Sequence, residues 1–180
     1  MNLTPTPVVQ FTSSLQDAKV RMVWNALEDV KDPQIPVLTV VDMGIITKVE
    51  VGEDASAKQV CTVTMTPTFV GCPAIGVMKQ SIYEEVTKLG FDTVVVNVDF
   101  ETAWTSDRMS EEAKFKLEKF GLAPPPVING ELTEEQLNSV RCPHCGSTDT
   151  TLRSSFGSTL CRAIRFCFNC KQGFEQFKPI

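Results

Sequence analysis

Cys142-Pro143-His144-Cys145 and Cys167-Phe168-Asn169-Cys170 are two C-x-x-C pairs, separated by 21 residues, near the C-terminus. Each pair can supply two thiolates along one edge of a tetrahedron, so the two pairs together complete a four-coordinate metal site. Zinc bound by four thiolates has no open coordination position, and such a site is structural. Tetrahedral iron, held by the same pairs as in rubredoxin, is the alternative. The sequence therefore predicts a small metal-centred domain at residues 141–180.

Three short strands are predicted around this metal. The segments 148–156 and 160–166 alternate in hydrophobicity and indicate a hairpin, and 174–177 is predicted to add a third strand. A unit of this size is stable only with its ion bound, because metal binding and folding are one event. Cys161 lies in the second segment. We expect it to be a small packing residue, with an extra metal ligand as the alternative.

Three consecutive prolines, Pro124, Pro125 and Pro126, indicate a stiff linker. We predict an α+β protein, with a small mixed α/β domain at 13–122, a linker at 123–140 and a zinc ribbon at 141–180. The first domain is expected to keep its own core when the ribbon loses its metal. Its predicted elements are a helix that ends before Pro33, strands at 38–51 and 60–66, a helix over 75–89, a strand at 93–100 and a helix that Ser110 caps and Gly121 ends.

The composition indicates a soluble protein of the cytoplasm. The 180 residues are 42% hydrophobic and 22% charged, and no apolar run is long enough to span a membrane. The first residues show neither the basic nor the apolar segment of a secretory signal. Four of the seven cysteines lie in metal-binding pairs, which fits a reducing compartment.

Charge is distributed unevenly along the chain. From Arg141 onward there are six basic and two acidic residues, which gives +4, whereas the other 11 basic and 20 acidic residues give −9. Nucleic-acid binding by the whole chain is therefore not expected. We expect the basic ribbon, with Arg162 and Arg165, to dock on an acidic protein surface.

Cys72 is the candidate for chemistry outside the ribbon. It lies between Gly71 and Pro73, and proline is favoured at the first position of a helix. The thiol would then lie at the positive end of the second predicted helix, which favours the thiolate form. The alternative is a small buried residue that caps the helix. Cys61, within an apolar strand, is expected to lie in the core.

Two acidic residues are further candidates for a functional site. Asp42 lies close to the entrance of the first predicted strand, and Asp107 follows the third. For both residues the alternative is the capping of a turn or of a helix. His144 is the only histidine and lies between two predicted metal ligands, so a Cys–His nucleophilic dyad with Cys72 is not expected.

Five segments of the first domain form one further pattern. They are Asp32-Pro33-Gln34-Ile35-Pro36-Val37-Leu38, Val41-Asp42-Met43-Gly44-Ile45, Thr66-Pro67-Thr68, Gly71-Cys72-Pro73 and Trp104-Thr105-Ser106-Asp107-Arg108-Met109-Ser110. Together they resemble the metal–sulfur cluster assembly domain family over about residues 15–121. With the tetracysteine ribbon, Cys161 and the segments 156–159 and 174–178, the chain resembles more narrowly the phenylacetate-degradation D proteins, the D components of phenylacetyl-CoA epoxidases.

This resemblance implies an accessory factor for a multicomponent phenylacetyl-CoA monooxygenase, with the reductase and oxygenase subunits as partners. It implies structural zinc in the ribbon and transient binding of iron or an iron–sulfur cluster, with Cys72 at the family's characteristic cysteine. Asp42 and Asp107 are further candidates for the transfer. Direct turnover of phenylacetyl-CoA is not implied. Gln34 departs from the pattern, since related sequences usually carry Glu there, and this weakens any metal-binding role of that position.

Two other functions stay open. One is electron transfer through iron in the tetracysteine site, and the other is a binding module whose ribbon contacts another macromolecule. Visible absorption separates electron transfer from the rest, because zinc is colourless. The sequence does not choose between the two client subunits, between iron and a preformed cluster as cargo, or between a monomer and a homodimer.

Overall fold

Alternating apolar residues build a three-stranded sheet in the first part of the computed structural model, which describes residues 13–126 and 140–179. The strands are β1 (Ile46–Glu53), β2 (Gln59–Met65) and β3 (Thr93–Val98), in the spatial order β1-β2-β3. β1 pairs with β2 in antiparallel fashion, whereas β3 pairs with β2 in parallel. Every second residue of β2 is fully buried, namely Cys61, Val63 and Met65, so the prediction of Cys61 as a core residue is confirmed.

Three helices accompany this sheet: α1 (Ser13–Leu27), α2 (Ile75–Thr87) and α3 (Glu111–Phe120). α1 packs on β1, α2 packs on β3, and the two helices contact each other. The buried positions Met78, Ile82 and Val86 of α2 recur every fourth residue, as one covered helix face requires. The predicted order helix-strand-strand-helix-strand-helix is confirmed. Within residues 13–126 and 140–179, no helix combines the length and the apolar character needed to cross a membrane.

The predicted ends of α3 are confirmed. The Ser110 side chain accepts a hydrogen bond from the Ala113 N–H at 3.0 Å, which caps the first turn. Gly121 ends the helix in the left-handed region with φ of 89°. A short 3₁₀ turn, Ser106–Arg108, precedes this helix.

The predicted strand at 38–51 is wrong in its first half, where the chain forms turns before β1 begins at Ile46. Leu38 and Val40 are fully buried in these turns. Gly44 has φ of +61°, and a Cβ atom there would lie 2.4 Å from the Arg108 carbonyl oxygen. Only glycine fits such a close approach. The apolar and β-branched residues predicted a strand. Their side chains are buried in the core as a strand's would be, but the backbone that carries them forms turns.

A second sheet of four strands forms the C-terminal part. Its strands are β4 (Leu122–Ala123), β5 (Thr150–Ser154), β6 (Arg162–Cys167) and β7 (Gly173–Phe177), in the spatial order β4-β7-β6-β5. β5, β6 and β7 pair in antiparallel fashion, which confirms the predicted hairpin and third strand. β4 pairs with β7 in parallel. It is missing from the prediction because two residues next to a proline run carry no strand pattern.

The two sheets share one apolar core. Phe177 at the end of β7 is fully buried, and its ring lies 5.8 Å from the ring of Trp104. The Trp104 indole N–H donates to the Met43 carbonyl at 2.9 Å. Cys161 of the ribbon belongs to the same core. The ribbon therefore buries part of its apolar surface against the first domain.

A smaller apolar cluster lies inside the ribbon. It consists of Ala123, Val140, Cys142, Cys167 and Phe174. Because Ala123 belongs to β4, the segment that directly follows α3 packs against the ribbon. The division into 13–122, 123–140 and 141–180 stays a prediction, and residues 127–139 of the predicted linker lie outside the described residues.

Phe177→Ala should destabilise both sheets together, because it removes a ring at the place where they meet. Truncation of a buried phenylalanine costs about 3–5 kcal/mol. Phe156→Ala is the matched control, since Phe156 is 71% exposed. Urea unfolding is followed by tryptophan fluorescence and by far-UV circular dichroism. Wild type and both variants should each unfold in a single transition, and only Phe177→Ala should have a lower urea midpoint than the wild type. If Phe177→Ala unfolds the ribbon but leaves the urea midpoint of residues 13–122 unchanged, the first domain has an independent core.

Candidate metal centre and thiol cavity

Four thiols of the ribbon meet at one point. The Sγ atoms of Cys142, Cys145, Cys167 and Cys170 lie within 4.8 Å of one another. Sγ of Cys142 is 3.7 Å from that of Cys170, and Sγ of Cys145 is 3.6 Å from that of Cys167. A tetrahedral zinc ion with Zn–S bonds of about 2.3 Å requires S–S edges of about 3.8 Å. The structure thus brings the four predicted ligands together at the spacing that such an ion needs.

Two similar turns set the positions of these thiols. In the first, the Gly146 N–H donates to the Cys142 carbonyl at 2.8 Å, and Gly146 has φ of 74°. In the second, the Cys167 N–H donates to the Gln172 carbonyl at 2.9 Å, and Lys171 has φ of 60°. A left-handed residue directly after each pair therefore turns the chain around the metal position.

Cys145 is the exposed member of this group. The Asn169 side-chain N–H donates to its Sγ at 3.5 Å. This hydrogen bond, together with one from the Ser147 backbone, lowers the pKa of Cys145 to about 6. At Cys145 the thiolate form that a metal ligand needs is therefore favoured at neutral pH, whereas burial raises the pKa of Cys142 and of Cys170.

Two further thiols lie in a separate cavity. Cys72 and Cys161 line one cavity of about 320 Å³. The other lining residues come from both parts of the chain and are Gln34, Thr68, Phe69, Pro73, Phe156, Gly157, Ser158, Thr159 and Leu160. The cavity therefore exists only because the ribbon packs against the first domain.

Cys72 lies on a turn ahead of α2 and is half-buried. Its N–H donates to the Phe69 carbonyl at 3.1 Å, and its own carbonyl accepts from the Ile75 N–H at 3.3 Å. α2 begins at Ile75 with Ala74 as its cap, so the interpretation of Pro73 as the first helical residue is wrong by two positions. The helix dipole acts mainly within its first turn. The surroundings of Cys72 in the cavity therefore matter more for its chemistry than the helix does.

Cys161 lines the cavity from the ribbon side and is 7% exposed. Burial raises the pKa of its thiol, although the Thr159 hydroxyl, 3.1 Å from Sγ, and the charge of Arg162 act in the opposite direction. Negative charges on Asp32 and Cys72 raise the pKa of Cys161 further. A cation bound in the cavity would offset these negative charges and favour the thiolate form of Cys161.

Arg162 holds the ribbon side of the cavity in place. Its Nη1 pairs with Glu175 Oε2 at 2.9 Å, and its Nη2 donates to the Gln34 carbonyl at 2.7 Å. Glu175 in turn accepts from the Ser158 N–H at 2.7 Å. One arginine thus connects β6, β7 and the loop of the first domain at Gln34. This role of Arg162 is not evident from the sequence, where the only signal is that Arg162 directly follows Cys161.

The expectation that Arg162 and Arg165 form an exposed basic face is wrong. Arg162 is 9% and Arg165 is 2% exposed. Arg165 donates through Nε to Gln176 Oε1 at 2.7 Å and through Nη1 to the Thr150 hydroxyl at 3.5 Å. Both cations serve contacts inside the protein. The exposed basic residues of the ribbon are instead Arg141, Arg153 and Lys171.

The two acidic candidates, Asp42 and Asp107, do not line the cavity that contains Cys72. Asp42 is buried, and its carboxylate accepts from the Thr39 N–H at 3.0 Å and from Lys116 Nζ at 2.9 Å. Burial favours a higher pKa for Asp42, but the hydrogen bonds from Lys116 and Thr39 outweigh it and hold the pKa below its ordinary value. Asp107 is exposed on the 3₁₀ turn. Neither is among the described residues that line the cavity, and their part in iron transfer stays a prediction.

Each of the two parts of the chain matches a known protein family. Residues 21–100 match the family model described as iron-sulfur cluster assembly protein, and residues 128–178 match the PaaD zinc beta ribbon domain. Over 175 residues, the chain is 37% identical to an Escherichia coli (strain K12) protein, which is named as the D component of a "Putative 1,2-phenylacetyl-CoA epoxidase". The match covers 96% of this chain and 100% of that protein.

Two shorter relatives match the first part of the chain. An "Fe-S protein maturation auxiliary factor" of Porphyromonas gingivalis (strain ATCC BAA-308 / W83) is 40% identical over 92 residues, which are 51% of this chain and 83% of that protein. The "Fe-S protein maturation auxiliary factor SufT" of Staphylococcus aureus (strain USA300) is 33% identical over 91 residues, which are 49% of this chain and 96% of that protein.

The fold and the two matches define a class of protein in which an iron–sulfur cluster assembly domain carries a C-terminal zinc ribbon. Within this class, the chain belongs to the PaaD family, the D components of phenylacetyl-CoA epoxidases. The family that the sequence motifs predict is thereby confirmed.

Cys170→Ser should lose the ribbon metal and unfold the ribbon, because three thiolates no longer close the tetrahedron and metal binding supplies the folding free energy. Metal content by plasma mass spectrometry and limited proteolysis of untagged protein provide the measurement. Cys72→Ser is the control and should keep the metal, since Cys72 is not one of the four clustered thiols. Full metal occupancy in Cys170→Ser would refute the assignment of this ligand.

Asp42→Asn should lower the free energy of unfolding at neutral pH by on the order of 1 kcal/mol, because it removes the charge that pairs with Lys116. The folded-state pKa of Asp42 lies below its unfolded value of about 3.9. The stabilisation is therefore present above that pH and is lost as the pH falls further, through the folded-state pKa. Urea unfolding at about pH 7 and about pH 3 should show the difference between variant and wild type shrinking in acid.

Glu112→Gln is the control for this experiment, because its ion pair with Lys116 involves a side chain that is 74% exposed. It should change stability much less. If Asp42→Asn leaves stability unchanged but abolishes the loading of a client with iron, then Asp42 is a transfer residue and not a structural one.

Proposed function

We propose that this protein is an accessory maturation factor, which accepts iron or an iron–sulfur cluster at Cys72 and passes it to the reductase or the oxygenase subunit of a phenylacetyl-CoA monooxygenase. The observation that carries this proposal is a half-buried cysteine in an open cavity, apart from the four-cysteine site. Membership of the PaaD family supports the choice of system. The protein acts in the cytoplasm as a component of the oxygenase system and turns over no substrate of its own.

The position of Cys72 suits a ligand for cargo in transit. Thiolates are the ligands that iron and iron–sulfur clusters prefer in proteins. Phe69 and Pro73 flank the thiol in the cavity and limit its contact with solvent, while the open mouth leaves it within reach of a partner. A site with fewer than four thiolates also releases its metal more readily than a closed one.

The ribbon metal is zinc in this proposal and has a structural role. The four thiols already occupy every position of a tetrahedron, so no position is open for an acceptor. The match to a zinc β ribbon supports zinc over iron. Because zinc is colourless and tetrathiolate iron is not, the visible spectrum of the untagged protein distinguishes them.

The mouth of the cavity offers a contact surface for the client. Phe156 and Leu160 line the cavity and are 71% and 45% exposed. Lys178 Nζ lies 5.2 Å from the Phe69 ring centroid and 5.8 Å from that of Phe156, which places a positive charge beside these apolar groups. A client whose acceptor cysteines are surrounded by apolar and acidic residues would complement this mouth.

Cys72→Ser should abolish the loading of the client while the fold and the ribbon metal are retained, because the hydroxyl replaces the only proposed thiolate acceptor outside the ribbon. The client is purified after co-expression with each variant, and its iron and acid-labile sulfide are measured. With Cys72→Ser both should fall to the level found without the factor.

Cys61→Ser is the matched control. Cys61 is fully buried in β2, and burial raises the pKa of its thiol to about 11, so it supplies no thiolate at neutral pH. This variant should load the client normally. Full loading of the client by Cys72→Ser would leave Cys72 as a turn residue and refute the proposed function.

A further inference from the structure

Three of the seven cysteines lie outside the ribbon's metal site, and two of them line the same cavity. Cys61 is enclosed in the first sheet, whereas Cys72 and Cys161 both line the cavity where the two parts of the chain join. The proposed function uses Cys72 and leaves Cys161 without a role.

We propose that Cys72 and Cys161 are paired ligands of one thiophilic divalent transition-metal ion, ferrous iron in the cell, so that each part of the chain contributes one thiolate. This inference rests on the proposed function and deepens it by naming the second ligand of the cargo site. Water or the acceptor cysteines of the client complete the coordination. The ribbon then supplies one of the two ligands of the cargo metal, in addition to its structural role.

The electrostatics of the cavity favour a cation between the two thiols. Cys72 and Cys161 line the same cavity, where a negative charge on Cys72 acts against a thiolate at Cys161, and Asp32 adds negative charge near Cys161. A divalent ion neutralises both thiolates, and Arg162 offsets the charge of Asp32. Binding replaces two S–H bonds by two metal–sulfur bonds and releases two protons to solvent, so affinity should rise with pH.

The loop that carries Cys161 is fixed as a metal ligand requires. A Cβ atom at Gly157 would lie 2.9 Å from Glu175 Oε1 and 3.0 Å from Arg162 Cβ, so this loop packs closely on the Arg162–Glu175 ion pair. The Lys178 N–H donates to the Cys161 carbonyl at 2.9 Å. Cys161 is thereby held from both sides and needs little rearrangement to bind an ion.

One strand connects the cavity to the ribbon metal. β6 begins directly after Cys161 and ends at Cys167, which is one of the four clustered cysteines. Six residues of extended chain span about 20 Å, so the two sites are distinct but rigidly linked. The ribbon metal therefore fixes the end of the strand that positions Cys161.

Cobalt(II) is the probe for this site, because its charge-transfer absorption increases with the number of bound thiolates. It is added anaerobically to full-length protein whose ribbon already carries its metal. We expect one cobalt per chain with the absorption of two thiolates and the release of two protons, measured with a pH indicator. Cys72→Ser and Cys161→Ser should each lose about half of this absorption and weaken binding more than about 100-fold. Cys61→Ser should bind cobalt like the wild type.

Phenylarsine oxide tests the pair in the unaltered protein, in case Cys161→Ser does not fold. Its arsenic forms bonds to two neighbouring thiols, and the oxygen leaves as water with both thiol protons. Peptide mapping by mass spectrometry should find Cys72 and Cys161 joined through arsenic. Arsenic bound to other cysteines alone would overturn the proposal.

The outcomes separate this inference from the proposed function. If Cys161→Ser binds cobalt with wild-type affinity and absorption, the paired site is refuted, even where Cys72→Ser still fails to load the client. If cobalt binding needs both thiols but Cys72→Ser loads the client fully, the metal site stands and the maturation role fails.

Discussion

The guanidinium of Arg162 lies where the ribbon meets the first domain, and its hydrogen bonds set the geometry of the cavity. It pairs with Glu175 at 2.9 Å and donates to the Gln34 carbonyl at 2.7 Å. A buried ion pair adds little net stability, because desolvation of the charges offsets their attraction, but the loss of one partner is costly. The main effect of the Arg162–Glu175 pair is therefore to fix the positions of the ribbon residues that line the cavity. Separating the loop of Cys161 from the loop of Gln34 breaks the hydrogen bond from Arg162 Nη2 to the Gln34 carbonyl and leaves part of a buried guanidinium without its acceptor, while the ion pair with Glu175 is kept.

The geometry of the cavity also depends on the ribbon metal. Folding of a small ribbon depends on its ion, and β6 extends from the cavity to the cysteine cluster. Phe177 of the next strand enters the core beside Trp104. Loss of the ribbon metal would therefore remove one wall of the cavity and weaken the first domain. The two halves of this family's architecture are joined physically, and the cavity depends on both.

The sequence predicts elements that depend on local patterns and misses those that depend on contacts between distant segments. The spacing of the four cysteines, the capping of α3 by Ser110 and the alternation in β2 are all local, and the structure agrees with each. The turns at 38–45 are shaped by burial and by the close approach of Arg108 to Gly44, which periodicity does not reveal. For the same reason the sequence places Arg162 and Arg165 at the surface: a count of charges does not show which ones pair inside.

The four-cysteine cluster and the proposed two-thiol site differ in their number of thiols, and this difference suits each to a distinct use. Four thiolates in rigid turns suit a metal that must stay, because no other ligand replaces one that is lost and loss of the metal unfolds a small ribbon. In the proposed cargo site, two thiolates that line a cavity would hold a metal that must leave, since an acceptor can add its own cysteines one at a time before the original bonds break. Such exchange needs an ion with open positions and ligands that do not move. Cys72 on its turn and Cys161 on its braced loop meet the second condition, and the open cavity meets the first.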